Sequence, residues 1–546
     1  MEIQSIKKIE KEALKTSSTD FIRLGFALFF MIAVLVYTFL SNGGITHSLF
    51  LAIAALIGAY MAMNIGANDV ANNVGPAVGS SAMTLTTAII IAAIFEAAGA
   101  LIAGGDVVNT IKNGIIDINA FDDINPFIWA MMASLLSAAL WLNLATFFKA
   151  PVSTTHSIVG GVMGSGIAAA GFSIVSWGTV VAIIASWVIS PVLGGIIAAT
   201  FLYAIKKSIV FQEDKVSSAK KYVPVFVAIM SWAFVTYIIL KGFKKVWIAI
   251  IEALNYIPLV NIELVSKPSF LVASSIGIVV AIFVYLSVKK SLAKKENLEN
   301  SKDSVNKLFT IPLVFAAALL SFAHGANDVA NAIGPLAAIN DAVVKSSITA
   351  SASIPLWVMA IGAFGIALGL ALYGPKLIKT VGSEITELDQ IRAFSIAMAA
   401  AITVIIASQL GLPVSSTHIA IGGVFGVGFL REWLHLNDKQ FNIEQKVVEM
   451  KDEKKFLQAC ESELEFLNDK DGKTKQDYER IVELYQLIEE EEEKIKSYKK
   501  SIKKAKKVKY VRRDAIKKII AAWLITVPAA AILSATLYFT IRGMML

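Results

Sequence analysis

The stretch Asn64–Pro76, NIGANDVANNVGP, sets Asn68, Asp69, Asn72 and Asn73 inside an otherwise apolar run. A near copy, AHGANDVANAIGP, returns at Ala323–Pro335 with Asn327, Asp328 and Asn331. A carboxylate at membrane depth is costly unless paired, hydrated or bound to a cation. Amides beside it offer acceptor oxygens and N–H donors. The cluster suits Na+, a proton, or a hydroxyl carried by a substrate. Gly66, Gly75 and Pro76, with Gly325, Gly334 and Pro335, predict locally unwound backbone whose carbonyls could join a Na+ shell.

A second motif is also present twice. Pro151 precedes Ser153, Thr154, Thr155 and His156; Pro413 precedes Ser415, Ser416, Thr417 and His418. Proline ends the preceding helix because it has no N–H to donate. Hydroxyl residues just after it cap a new helix. A helix start inside a membrane presents unpaired N–H groups and a positive dipole end, which suits an oxyanion such as phosphate or sulfate. For one copy alone, the plainer reading is a kinked helix whose hydroxyls bond a neighbour. Two copies at matching positions favour a transporter site. Phosphate fits a nearby carboxylate better than sulfate does, because near neutral pH it still carries a proton to donate.

Other polar groups stand alone. Glu96, in AIFEAAGALIAG, has no acidic counterpart in the second half. It reads as a cation or proton site, with a helix-packing hydrogen bond as the alternative. His324 precedes the second Gly-Ala-Asn-Asp, where the first copy has Ile65. It is a candidate substrate ligand or proton group, with an ordinary packed histidine as the equal alternative. Gln409 is the approximate counterpart of Lys149, whose amine can snorkel to the interface. No G-x-S-x-G elbow and no Walker A stretch occurs, so neither a hydrolase nor an ATP-driven pump is expected.

The elements that hold these residues are apolar helices. The chain has 546 residues, 56% of them hydrophobic, and a mean hydropathy of +0.66. Thirteen apolar segments are readable, beginning with 21–40 and ending with 516–541. This predicts an all-α polytopic membrane protein with about 12–13 membrane segments. The first segment is too long for a usual signal-peptide core and lacks a cleavage site, so it reads as a retained helix. The lone Cys460 excludes an internal disulfide framework and a cysteine-built metal site. Lysine-rich stretches 206–222 and 289–307 lie two helices apart, and the positive-inside rule makes them cytoplasmic. The expected N-terminus is then cytoplasmic and the C-terminus outside, in the cell (plasma or inner) membrane. Segments 153–171 and 413–430 either cross or re-enter.

The repeat reaches beyond the two motifs. Gly66 matches Gly325, Pro151 matches Pro413, and Ser186 matches Ala522, giving offsets of 259, 262 and 336. The jump between the last two marks an insertion in 431–515, which holds 41 charged residues. Phe456, Cys460, Leu464, Leu467, Ile481, Leu484 and Ile488 recur at helical spacing around the turn signal Asn468–Lys473. An antiparallel, cytoplasmic helical hairpin is expected. The eleven Lys and Arg residues from Lys494 to Arg513 read as a solvated face or a contact for anionic lipid. The expected organisation is a leader and extra helix (1–48), a first repeat (49–205) and connecting helices (206–307). A second repeat (308–430), the insertion (431–515) and a closing helix (516–546) follow.

At Gly66–Asn72, Gly325–Asn331, Pro151–His156 and Pro413–His418 the chain resembles the inorganic phosphate transporter family. The resemblance covers roughly 49–430 and 516–541. It implies two inverted repeats with broken helices at a central site, and secondary transport of phosphate with Na+ or H+. It implies that Asn68, Asp69, Asn327 and Asp328, with Ser153, Thr154, Thr155, Ser415, Ser416 and Thr417, line the substrate site. Asp69, Asn72, Glu96, Asp328, Asn331 and Gln409 are the candidate cation or proton groups, and His156, His324 and His418 are accessory. The extra N-terminal helix and the charged insertion depart from the family pattern. No cofactor is expected besides the coupling ion, Na+ or alternatively H+. The expected partners are phosphate, that ion and the lipid bilayer, with a homodimer allowed and no nucleic acid. Sulfate symport on the same fold, a phosphate-sensing receptor and a passive anion channel are the competing readings.

Overall fold

The computed structural model describes residues 2–45, 47–148, 152–244, 246–257, 263–295, 298–347, 354–384, 388–506 and 513–545. Lys149, Pro151 and part of the basic run (507–512) lie outside the described residues. The first half contains α1 (Glu2–Ser41), α2 (Ser48–Asn68), α3 (Val70–Gly79), α4 (Leu85–Ala103), α5 (Gly105–Asn113), α6 (Ile124–Phe147), α7 (Thr154–Ala170) and α8 (Trp177–Ile205). Connecting helices α9 (Lys215–Gly242), α10 (Trp247–Asn255), α11 (Phe270–Ala293) and α12 (Lys302–Leu308) follow. Then come α13 (Thr310–Lys345), α14 (Leu356–Glu384), α15 (Gln390–Gln409), α16 (Ser416–Asp469), α17 (Lys475–Lys506) and α18 (Arg513–Met545). Among the described residues there is no strand, only an isolated bridge between Ile116 and Val175.

Among the described residues, eleven helical stretches are long and apolar enough to cross a membrane. The sequence segments 153–171 and 413–430 are not among them. The first gives the 17-residue α7, too short for a full crossing, and glycines and hydroxyls dilute the second. Thr310–Lys345 is the most buried stretch and Ser48–Gly79 is largely buried too; these two carry the two Asn/Asp clusters. Lipid-type exposure falls on others: Phe21, Phe29 and Leu40 of α1 and Leu271, Val279 and Phe283 of α11 point outward. Apolar side chains facing out along such helices are what a hydrocarbon solvent allows.

The glycines of the first motif serve packing rather than unwinding. α13 runs unbroken through Asn327 and Asp328, and the first copy is interrupted only at Asp69. Its predicted free carbonyls are therefore mostly engaged in helix bonds. A Cβ at Gly66 would overlap the Ile366 carbonyl, and one at Gly325 would overlap the Glu96 carbonyl. α2 thus packs backbone to backbone on α14, as α13 does on α4. Gly66 and Gly325 are repeat partners, and each meets a carbonyl of the other half, so the two halves pack on each other in the same way. The pattern returns at Gly164 against Ala531 and Gly426 against Gly195, where α7 meets α18 and α16 meets α8.

Residues 428–512 form a separate compact unit. Within it, α16 turns at Lys470–Thr474 into α17. Cys460, Leu484 and Ile495 are buried along the seam. Phe456 points outward instead, and the neighbouring Leu457 takes the inward position, because the seam follows the 3-4 spacing 453, 457, 460, 464, 467. Arg480 grips Glu463 with two bonds of 2.8 and 3.1 Å across the hairpin, fixing the antiparallel register.

Candidate functional site

Two helix starts meet the two Asn/Asp clusters. α6 ends at Phe147 and α7 begins at Thr154; α15 ends at Gln409 and α16 begins at Ser416. The side chain of Ser153 accepts from the His156 N–H at 3.1 Å, and that of Ser415 from the His418 N–H at 3.3 Å. Ser153 and Ser415 are therefore caps. The hydroxyls just after them point to the carboxylates. Each start also leaves its first backbone N–H groups without intrahelical partners.

Asp69 is bonded from both helix starts. Thr154 donates to it at 2.7 Å and Thr417 at 3.1 Å. Ser416, the repeat partner of Thr154, donates to Asp328 at 3.2 Å. The asparagines cross between halves. Asn72 donates to Thr417 at 2.9 Å, and Asn331 to Thr154 and Thr155 at 3.1 and 3.2 Å. Thr155 donates to the Val414 carbonyl at 2.9 Å, tying the two starts directly. All of these side chains are buried.

The other two asparagines hold the ends of the preceding helices. Asn68 donates to Thr146 at 2.8 Å, and Asn327 to Ser408 at 3.0 Å and to the Leu412 carbonyl at 3.2 Å. Asn327 also accepts from the Val414 N–H at 3.3 Å. Thr146 and Ser408 are separated by the same 262 residues as Pro151 and Pro413. This matched pair of hydroxyls was readable in the sequence. That offset sets Gln409 opposite Phe147, and it is Ser408 rather than Gln409 that accepts from Asn327.

Glu96 and His324 extend the site on one side only. His324 Nδ1 lies 2.7 Å from Glu96, and its Nε2 lies 2.9 Å from Asp328. Asn73 donates to Glu96 at 2.8 Å. Ile366 meets Gly66 as Glu96 meets Gly325, and it is apolar, so this branch breaks the likeness between halves.

The donors and acceptors are unevenly spent. Asn68 Oδ1, Asn331 Oδ1 and Asp328 Oδ1 are buried and have no hydrogen-bond donor. Ligand atoms of Asp69, His324 and Asp328 lie within 4.8 Å of one another. The two carboxylates that this cluster brings together in a buried space match the hard-cation preference of Na+ for oxygen. His156 and His418 stand one helix position behind the hydroxyls and touch each other, with ring centroids 4.6 Å apart. The sequence pattern gave no sign of the buried pair Lys112–Asp341, which joins α5 to the end of α13.

A model described as the phosphate transporter family matches residues 65–534. The chain is 48% identical over 547 residues to a Helicobacter pylori (strain J99) protein named "Putative phosphate permease", covering 98% of each. That cover includes the charged insertion. It is 38% identical over 381 residues to a Pyrococcus abyssi protein of the same description, covering 70% of this chain and 89% of that one. A solved structure titled "The sodium-dependent phosphate transporter" is 29% identical, with a TM-score of 0.69, covering 90% of this chain and 99% of that one.

Proposed function

Because the chain belongs to the phosphate transporter family, we propose that it imports inorganic phosphate together with Na+ by alternating access. The observation that carries this reading is the convergence of two capped helix starts on Asp69 and Asp328. N–H and hydroxyl donors from Thr154, Thr155, Ser416 and Thr417 grip the anion. Asp69, Asp328 and the unpaired oxygens of Asn68 and Asn331 hold the cations. Family membership and the sodium-dependent structural relative favour this assignment over a receptor or a channel.

The electrical balance constrains stoichiometry. Each elementary charge moved across 100 mV is worth about 2.3 kcal/mol. Divalent phosphate entering a negative interior therefore needs two Na+ for neutrality and a third for electrical drive. Two carboxylate clusters give natural places for the first two.

We read α6–α7 and α15 with the start of α16 as hairpins that re-enter. Their tips meet Asn68 and Asn327, which lie well inside the long stretches Ser48–Gly79 and Thr310–Lys345. Four crossings (α4, α8, α9, α11) then separate α2 from α13. An even number makes those two run oppositely, so the repeats at 49–205 and 308–430, closed by 516–546, are inverted. The N-terminus is then on the cytoplasmic side with 431–515, and the C-terminus outside.

The test is uptake of labelled phosphate by proteoliposomes, with Na+ replaced by choline at fixed pH. Uptake should collapse. Undiminished uptake that follows an imposed pH gradient would replace Na+ by H+ in this scheme. Full competition by excess sulfate would widen the substrate to oxyanions generally.

A further inference from the structure

Behind the two helix starts, four aromatic rings stand in a row. Trp187 of α8 lies against His156, with centroids 3.8 Å apart. His156 meets His418 edge to face at 4.6 Å, and His418 stacks on Trp523 of α18 at 3.6 Å. The order Trp–His–His–Trp is its own mirror under the repeat: 156 and 418 are partners at the 262 offset, and 187 and 523 at the 336 offset. The row therefore straddles the junction between the halves. Trp187 and both histidines are buried, and Trp523 is partly so.

Each histidine sits in the first turn of its helix. Its backbone N–H donates the capping bond to the Ser153 or Ser415 side chain, so ring and cap move together. Trp187 also donates to the Pro413 carbonyl at 3.3 Å, in the tip that leads to the other helix start. The ring nitrogens of His418 have no hydrogen-bond partner. Ring contact, rather than a directional bond, therefore holds it. Such contacts resist compression but tolerate rotation, because aromatic pairs keep favourable geometry over a range of tilts.

We propose that Trp187, His156, His418 and Trp523 form a positioning stack that sets the distance between the two helix starts, and with it the fit of the bound oxyanion. This rests on the reading of those starts as the anion grip. The four residues act through Thr154, Thr155, Ser416 and Thr417 and do not themselves touch the anion. Shortening a ring in the row lets the starts approach or slip, which loosens the grip without removing any donor.

The experiment uses the full chain in proteoliposomes, with KM and maximal rate for labelled phosphate measured at saturating Na+. His418→Ala should raise the phosphate KM about tenfold or more, as misplacement of binding groups does, with the maximal rate and the Na+ dependence nearly unchanged. His418→Phe, which keeps a flat ring and loses both nitrogens, should restore most of the affinity. Where His418→Ala does not reach the membrane, Trp523→Leu should show the same selective rise in KM. A wild-type KM in the assembled Ala or Leu variant overturns the proposal. So does a Phe variant as impaired as Ala, since the nitrogens would then matter rather than the ring. Absence of phosphate uptake by the unmodified protein is a different result: it refutes the transport reading itself.

Discussion

The Glu96 carboxylate lies 2.7 Å from Nδ1 of His324, and both side chains are wholly enclosed. Glu96 comes from α4 and His324 from α13, whose backbones touch at Gly325. A contact that close leaves no room for water between the two groups. The pair binds one turn of α13, and Asp328 with it, to a helix of the other half.

Glu96→Gln replaces the carboxyl by an amide of the same shape. Leaving a buried polar partner unsatisfied costs about 1–3 kcal/mol, and more for a charged group. Na+-driven phosphate uptake should fall at least tenfold, and the unfolding midpoint should drop. Uptake in proteoliposomes and a thermal scan in detergent measure the two effects. A Gln variant with unchanged uptake would show that the carboxylate is only packing.

Gly325→Ala and Gly66→Ala should fail alike. Each added methyl meets a backbone carbonyl rather than a side chain that could turn away. Overpacking of this kind costs about 1–3 kcal/mol, and more where backbone must move. Both variants should express poorly and unfold earlier than Gly25→Ala, where nothing lies near. Melting temperatures of the three purified variants decide this.

Lys112 and Asp341 should reveal a coupled pair. Lys112→Met leaves a buried carboxylate without its partner, at a cost of about 3–5 kcal/mol. Lys112→Met with Asp341→Leu replaces both ions by apolar groups and should recover most of the lost stability. A double-mutant cycle on unfolding midpoints makes the comparison. Equal loss in the single and double variants would exclude coupling.

In the charged hairpin, the turn should outlast mild acid. Asp477 accepts from the Thr474 N–H at 2.7 Å, from Lys470 at 2.9 Å and from the Thr474 hydroxyl at 2.7 Å. These bonds hold its carboxyl at about 2, below the ordinary 3.8. A lowered value means the stabilisation is complete above the ordinary value and disappears as pH falls through about 2. Amide exchange at Thr474 should stay protected at pH 4 and lose protection in Asp477→Asn at the same pH.

Much of the site was visible in the chain itself. Two copies of GANDVAN and of PVS[ST]TH announced two carboxylates and two capped helix starts, because those residue types have few other reasons to recur inside apolar helices. The hairpin was visible from its seam, although Phe456 misled by one residue: a large apolar side chain in a solvated helix weakens a periodicity read by eye. Other features needed three dimensions. That glycines 66 and 325 touch the backbones of α14 and α4 depends on which helices become neighbours. Trp187 and Trp523 became relevant only once α7 packed on α18 and α16 on α8. Lys112 found Asp341 across 229 residues, a pairing that no local pattern encodes.

That last pair has no twin. At the offset of 259 that relates the two Asn/Asp motifs, Asp341 falls opposite Ala82, which cannot form an ion pair. In the alternating-access reading proposed above, two like halves with perfect likeness would rest equally in two mirror-image states. An ionic clasp without a counterpart would tilt that balance toward whichever state keeps it closed, while the gradients alone would set the direction of net flux.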